Sequence, residues 1–187
     1  MTDPPTVLVV EDEPDLRSLF DAFLSDTYHV VTASTAEAAL EKLESHIDVV
    51  LLDRLLPGKR GEEIADEIKD RGEFMVAMVT AVEPDLEVID MGFDDYVAKP
   101  VSRQELNEVV EQLLRVQTYD EQVSELFQLS KKRAILLEEV GEEALTDSEE
   151  FAALEERIQA VLTTLDDINH GFPDDDHHDA VRFGEVF

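Results

Sequence analysis

Five polar side chains follow short apolar runs, and together they could bind a metal ion and accept and stabilise a phosphoryl group. They are Glu11, Asp12, Asp53, Thr80 and Lys99. Carboxylate oxygens suit Mg²⁺, and a carboxylate can itself attack phosphorus to form an aspartyl-phosphate. A hydroxyl can hydrogen-bond a phosphoryl oxygen, while an ammonium group supplies a fixed positive charge. Taken alone, Asp53 could equally be the N-cap of a following helix.

The elements around these residues decide between the two interpretations. Apolar runs typical of buried strands alternate with amphipathic segments typical of helices. The predicted strands span 6–10, 28–33, 49–52, 74–79 and 96–98, and the predicted helices 14–25, 36–46, 61–71, 85–91 and 104–114 or beyond. This alternation predicts an α/β fold with a parallel sheet covered on both faces. Right-handed crossovers then bring all five polar residues to one edge of the sheet, which favours a functional site over a helix cap.

The motifs at that edge resemble the receiver domain of two-component response regulators. They are Glu11-Asp12, Asp53 followed by Pro57-Gly58, Thr80-Ala81, and the run from Asp94 to Pro100. The resemblance covers residues 5–116 and implies a flavodoxin-like (βα)5 fold with strand order 2-1-3-4-5. It implies that Asp53 is the phosphoacceptor for the phosphohistidine of a cognate histidine kinase. Mg²⁺ would be held by Glu11, Asp12, Asp53 and the backbone carbonyl of Leu55.

The same resemblance assigns roles at the ends of the last two strands. Thr80 and Lys99 would contact the phosphoryl group, and Tyr96 would be an aromatic switch residue acting with Thr80. Alone, Lys99 could be a surface salt-bridge residue and Tyr96 an ordinary strand aromatic. The implied activity is self-catalysed phosphotransfer and slow autodephosphorylation, with no further enzymatic reaction. Thr80 and Lys99 are 19 positions apart, roughly one helical turn fewer than is usual in the receiver family. The predicted helix at 85–91 is therefore short, and we expect an altered signalling face.

Residues 117–170 predict a second, helical domain. One apolar stripe comprises Val123, Leu126, Phe127, Ala134, Leu137 and Val140, and a second comprises Phe151, Leu154, Ile158, Val161, Leu165 and Ile168. Thr146 to Glu149 form a capping box that starts the second helix. The pattern predicts a helical hairpin or coiled coil, which must bury its stripes within the chain or in a homodimer. With Tyr119-Asp120-Glu121 and Ser130-Lys131-Lys132, this segment resembles the HalX domain found after receivers in halophilic archaea.

Two outputs remain open for the helical domain. Regulated binding of a downstream protein partner is favoured, and DNA binding as a transcriptional regulator is the alternative. Residues 117–187 contain 19 acidic and 5 basic residues, with one basic cluster at Lys131-Lys132-Arg133. Contacts to phosphates dominate DNA affinity and weaken steeply with salt, so this composition gives DNA binding little support. The segment 171–187, including the Asp and His residues at 174–179, is predicted to be a disordered acidic tail rather than a metal site.

The charge balance limits the setting in which the protein works. The chain of 187 residues has 46 acidic and 15 basic residues, a net charge of −31, and no cysteine. Carboxylates spread through both halves favour adaptation to concentrated salt over mimicry of a nucleic acid, because molar salt screens their repulsion. Disulfides and thiolate metal sites are excluded. The sequence shows no signal peptide and no membrane-spanning run, so we expect a cytoplasmic protein without a membrane partner.

Overall fold

The computed structural model describes residues 3–43, 46–82, 92–146 and 148–170. The chain divides into two compact units, Met1–Gln117 and Thr118–Phe187. The predicted helix at 85–91 and the predicted tail at 171–187 lie outside the described residues. Within the described residues, no helix is long and apolar enough to cross a membrane.

The first unit is built on a five-stranded parallel sheet in the order β2-β1-β3-β4-β5. The strands are β1 (Thr6–Val10), β2 (His29–Ala33), β3 (Val49–Leu52), β4 (Met75–Thr80) and β5 (Asp95–Ala98). Every residue of β1, β3 and β4 is buried, as expected for central strands covered on both faces. The predicted fold class and strand order are confirmed.

Helices cover both faces of this sheet. They are α1 (Pro14–Leu24), α2 (Ala36–Lys42), α3 (Gly61–Lys69) and α4 (Arg103–Glu139). Side chains that alternate along the strands fall into two cores. One core packs Ile64 and Ile68 of α3 with residues of α2, and the other packs Phe20 of α1 with Leu106 and Val110 of α4. The strand ends are therefore held rigidly from two sides.

The helix predicted at 104–114 continues far beyond that range. No glycine or proline occurs between Arg103 and Val140, so nothing in the sequence ends the helix before Gly141. Gly141 adopts a φ of +85°, a left-handed conformation that glycine tolerates at a helix end. Buried residues are confined to the first turns of α4, at Leu106, Val110 and Leu113.

The second unit contains the end of α4, the short α5 (Glu142–Leu145) and α6 (Glu149–His170). Two ion pairs join α4 to α6, Arg133 to Glu155 at 2.5 Å and Arg157 to Glu125 at 2.7 Å. Because the pairing runs in opposite directions along the two helices, they form an antiparallel hairpin. Ile158, Val161 and Leu165 of α6 are buried, in agreement with the predicted stripe.

Two details of this hairpin differ from the sequence prediction. Of the predicted α4 stripe, Val123, Phe127, Ala134 and Val140 are exposed, so the stripe is not buried as a unit within this chain, and its burial in a homodimer stays a prediction. The face of α4 that lies against α6, marked by the two ion pairs, carries the half-buried Leu126 and Leu129 instead. The cap of α6 is also displaced. Ser148 accepts a hydrogen bond from the Phe151 N–H at 3.1 Å, whereas the Thr146 hydroxyl donates to the Glu142 carbonyl.

Candidate functional site

The polar residues predicted at the strand ends lie along one edge of the sheet. Asp53 follows β3, and its N–H donates to the Val10 carbonyl at 3.0 Å. The Glu11 N–H donates to the Ala33 carbonyl at 3.0 Å, and the Lys99 N–H donates to the Thr80 carbonyl at 2.8 Å. Sheet hydrogen bonding thus continues one residue past each strand and fixes the backbone positions of the candidate site.

Three carboxylates meet at this edge. One oxygen from each of Glu11, Asp12 and Asp53 lies within 4.8 Å of the other two. Glu11 is 1% exposed and Asp53 8% exposed, whereas Asp12 faces solvent. Like charges at this separation repel one another unless cations lie among them. The cluster therefore has both the ligand type and the electrostatic need for a divalent cation.

Lys99 supplies one cation to the buried pair of carboxylates. Its Nζ lies 2.6 Å from Glu11 Oε2 and also donates to Asp53 Oδ2. Burial opposes the charged ammonium, but the hydrogen bonds that it donates to Asp53 and Glu11, and the negative charge of both groups, outweigh burial and raise the pKa of Lys99. Burial raises the pKa of Glu11, although Lys99 acts against the shift. The Phe20 ring, centred 5.9 Å from the ammonium, gives it an apolar wall.

The backbone after β3 is folded tightly against Asp53. The Leu55 N–H donates to Asp53 Oδ1 at 3.0 Å, which orients the carboxylate and places residue 55 beside it. The loop closes where the Gly61 N–H donates to the Arg54 carbonyl at 2.9 Å. A Cβ atom on Gly61 would lie 2.6 Å from the Arg54 Cα and 3.0 Å from the Asp53 carbonyl oxygen. The loop geometry around Asp53 therefore requires glycine at this position.

The side chains of Thr80 and Tyr96 both hydrogen-bond to the backbone of Val82. Thr80 is fully buried, and its Oγ1 accepts a hydrogen bond from the Val82 N–H at 3.3 Å. The Tyr96 hydroxyl donates to the Val82 carbonyl. The Tyr96 ring also packs against Phe93, with the ring centroids 5.7 Å apart. Thr80 and Tyr96 are thus linked through the backbone N–H and carbonyl of one residue.

The structure adds residues that the sequence reasoning missed. Arg17 of α1 donates to the Glu11 carbonyl at 2.7 Å and to the Asp12 carbonyl at 3.2 Å, so it clamps the acidic loop. Its place in the first turn of the helix that follows Glu11-Asp12 was an available signal. Arg54 forms a buried ion pair with Glu62 under the loop after Asp53. No local pattern marks this pair, because its members lie in different elements.

The two units of this chain match two known protein families. The model of the response regulator receiver domain matches residues 7–111, and the model of the HalX domain matches residues 115–181. The chain belongs to the response regulator receiver family. The predicted resemblance to a receiver followed by a HalX-type domain is confirmed. Its receiver homologues are response regulators of two-component systems, whose receivers accept a phosphoryl group from a histidine kinase.

Two curated relatives are longer than the stretch of sequence that they share with this chain. A putative transcriptional regulator from Haloferax volcanii is 41% identical over 157 residues, covering 83% of this chain and 27% of that protein. The transcriptional regulatory protein AruR from Pseudomonas aeruginosa is 36% identical over 121 residues, covering 59% of this chain and 50% of that protein. The chain thus spans about a quarter to a half of the length of these relatives.

Solved structures share the fold of the first unit. A receiver domain protein from Methanospirillum hungatei has a TM-score of 0.57 at 29% identity and covers 62% of this chain and 97% of its own. The response regulator TrrA from Thermotoga maritima, in complex with Mg²⁺ and BeF, has a TM-score of 0.53 at 36% identity. That match covers 58% of this chain and 98% of TrrA.

Proposed function

We propose that this protein accepts a phosphoryl group on Asp53 from the phosphohistidine of a cognate histidine kinase. The observation that carries the proposal is the position of Asp53, which lies in a cluster of three carboxylates with Lys99 on one of its oxygens. Phosphoryl transfer requires positioned charges more than covalent help from the protein. The membership of the receiver family supports the same role.

The proposed reaction needs no other nucleophile. A carboxylate oxygen of Asp53 bonds to phosphorus as the P–N bond to the kinase histidine breaks, and the bonding electrons return to the imidazole. Lys99, which contacts Asp53 Oδ2, stays within reach of an oxygen of the transferred group. Thr80, at the end of the adjacent strand, offers its hydroxyl to another. Slow hydrolysis of the acyl phosphate then resets the site, and we propose no other enzymatic reaction.

Mg²⁺ is the cofactor that the donor set fits. Glu11, Asp12 and Asp53 provide hard oxygen ligands within 4.8 Å of one another, and exposed Asp12 gives access from solvent. We propose that these three residues and the Leu55 carbonyl hold the ion. When bound, Mg²⁺ neutralises charge on the carboxylates and the phosphoryl oxygens. The related TrrA structure in complex with Mg²⁺ and BeF supports the assignment.

The switch that we propose uses the contacts around Val82. A phosphoryl oxygen on Asp53 would accept a hydrogen bond from the Thr80 O–H and draw the hydroxyl away from the Val82 N–H, which now donates to it. Loss of that hydrogen bond would loosen the Val82 carbonyl, which holds the Tyr96 hydroxyl. Tyr96 would then be free to reorient, and the new surface would distinguish the phosphorylated state.

The output that we propose is a regulated protein–protein interaction of the helical domain, residues 117–170, following a receiver of residues 5–116. The charge pattern favours this over DNA binding. Arg133 is paired with Glu155 and Arg157 with Glu125, so two of the basic side chains of the second unit are engaged within the hairpin. DNA binding remains the second candidate because the Haloferax volcanii relative is named a putative transcriptional regulator.

Phosphorylation by a small donor tests the first part of this proposal. The chain incubated with acetyl phosphate and Mg²⁺ should gain one phosphoryl group in intact-mass spectrometry. Asp53→Asn should gain none, whereas Asp70→Asn, a matched change on the exposed surface, should behave like the wild type. Phosphorylation of Asp53→Asn would refute the assignment of the acceptor.

A DNA-binding assay tests the output of the helical domain. Retention of the full chain on specific DNA in molar KCl would favour DNA binding, the second candidate.

A further inference from the structure

The second unit exposes an apolar stripe on α4, comprising Val123, Phe127 and Ala134. Val123 is 42% exposed and Phe127 71% exposed, and Ala134 is also exposed. Their spacing of four and seven residues places all three within about 40° around the helix axis. A phenylalanine exposed to this degree, in line with a second large apolar residue, is typical of a surface that binds a partner.

The hairpin itself does not cover this stripe. The face of α4 directed to α6 carries Glu125, Leu126, Leu129 and Arg133. Arg133 and Glu125 are held by ion pairs to Glu155 and Arg157. Phe127 lies about 100° from Leu126 around the axis, because successive residues differ by about that angle. The stripe is therefore a separate surface rather than the edge of the α4–α6 contact.

Opposite charges flank Val123 and Phe127, the two large apolar residues of the stripe. Asp120 lies on the N-terminal side and Lys131 on the C-terminal side, each within about 40° of Phe127 around the axis. Both side chains are exposed, and neither has an ion-pair partner within the described part of the chain. An acidic end, an apolar centre and a basic end are complementary to the same pattern running in the opposite direction.

We propose that a second copy of this chain binds the stripe in antiparallel orientation. If Phe127 packs against Val123 of the second copy, residue 131 lies level with residue 119 of that copy. Lys131 is then one position, about 1.5 Å along the axis, from Asp120 of the second copy. The two-fold symmetry repeats each contact, so the dimer contains two such charge pairs around an apolar centre. A parallel dimer would instead place Lys131 beside Lys131 and Asp120 beside Asp120.

The overall charge sets the conditions for this pairing. Each chain has a net charge of −31, so two copies repel each other strongly in dilute salt. At molar ionic strength the Debye length falls to about 3 Å, which removes long-range repulsion. Contact between apolar side chains is not weakened by this screening. Association should therefore strengthen as KCl is raised from about 0.2 M to about 2 M.

The proposal rests on the interaction output proposed for the helical domain, but it does not require phosphorylation of Asp53. Sedimentation of the full chain in 2 M KCl should show a dimer, and Asp53→Asn should not prevent it. Failure of phosphotransfer and failure of pairing are thus separate results. Wild type that stays monomeric at all salt and protein concentrations, with and without beryllofluoride, would overturn the inference.

Charge reversals test the orientation. At the lowest KCl concentration at which the wild type pairs, Lys131→Glu and Asp120→Lys should each raise the dimer dissociation constant about tenfold, because each places like charges together. An equimolar mixture of the two variants should form a heterodimer of wild-type strength, since both charge pairs are then restored. Lys132→Glu, the same change about 100° further around the helix, should have little effect. Weakening by Lys132→Glu equal to that by Lys131→Glu, or no rescue in the mixture, would refute the pairing.

Two further measurements locate the surface. Phe127→Ser should weaken the dimer about a hundredfold, while Leu162→Ser on α6, also an exposed apolar residue, should not. Circular dichroism should show both variants folded. Spin labels on Glu138→Cys in both copies should report a distance of about 40 Å in the antiparallel dimer, mostly along the helix axis, and of about 10 Å, the spacing between the axes, in a parallel one. A short distance would overturn the proposed orientation.

Discussion

The ammonium group of Lys99 lies 2.6 Å from Glu11 and simultaneously contacts Asp53, so one cation serves two buried carboxylates. Lys99→Ala should leave the carboxylates of Glu11 and Asp53 without a neighbouring cation. We expect a loss of about 3 kcal/mol in the free energy of unfolding, measured by urea titration in molar KCl without Mg²⁺. Lys99→Arg, which keeps the charge, should lose less. A Lys99→Ala variant as stable as the wild type would show that solvent neutralises the cluster.

Mg²⁺ should stabilise the receiver, because the proposed site for the ion exists only where folding assembles the three carboxylates. At a concentration about a hundred times the dissociation constant, the expected gain is about 2.7 kcal/mol. The gain is measurable as a shift in the thermal unfolding midpoint. Asp12→Asn should abolish most of the shift, while Asp26→Asn on the exposed surface should retain it. An undiminished shift in Asp12→Asn would place the ion elsewhere.

Substitution of Gly61 should damage the site through the backbone. An alanine Cβ would meet main-chain atoms of Arg54 and Asp53, which cannot move without displacing the loop beside the acceptor carboxylate. We expect Gly61→Ala to cost about 2 kcal/mol of stability and to slow phosphorylation of Asp53. Gly72→Ala is the control, since its Cβ would meet only the edge of the Phe74 ring. Equal effects of the two variants would contradict this explanation.

The start of α4 should respond to acid. Glu105 accepts a hydrogen bond from the Ser102 N–H at 2.8 Å, and the Ser102 hydroxyl accepts one from the Glu105 N–H at 3.2 Å. The interactions with the Ser102 side chain and backbone lower the pKa of Glu105 below 4.5. The stabilisation is therefore present above pH 4.5 and is lost as the pH falls through the lower pKa of the folded state. An NMR titration of the Glu105 carboxyl should show this, and Ser102→Ala should return the pKa towards 4.5.

Much of the receiver could be predicted because its signals are local. Runs such as Val49–Leu52 are apolar on both faces, which is typical of central parallel strands, and chain topology alone brings their ends together. This is why Glu11, Asp53, Thr80 and Lys99 could be assigned to one edge before their geometry was known. The roles assigned to them come from the family resemblance and remain predictions.

The parts that could not be predicted depend on choices between distant segments. The buried pair of Arg54 and Glu62 forms only when the loop after β3 folds onto α3. On α4, Leu126 and Phe127 are adjacent apolar residues, and only the packing of α6 against α4 determines which of them is shielded. Local periodicity contains no information on any of these contacts.

The hydrogen bond from the Lys99 N–H to the Thr80 carbonyl offers a spectroscopic probe of the candidate site. It joins the backbones of two residues whose side chains would both grip an incoming phosphoryl group. Either side chain can draw its own backbone towards the ligand, and the shared amide proton registers both movements. Its chemical shift and its rate of exchange with deuterium should therefore change when Asp53 is phosphorylated.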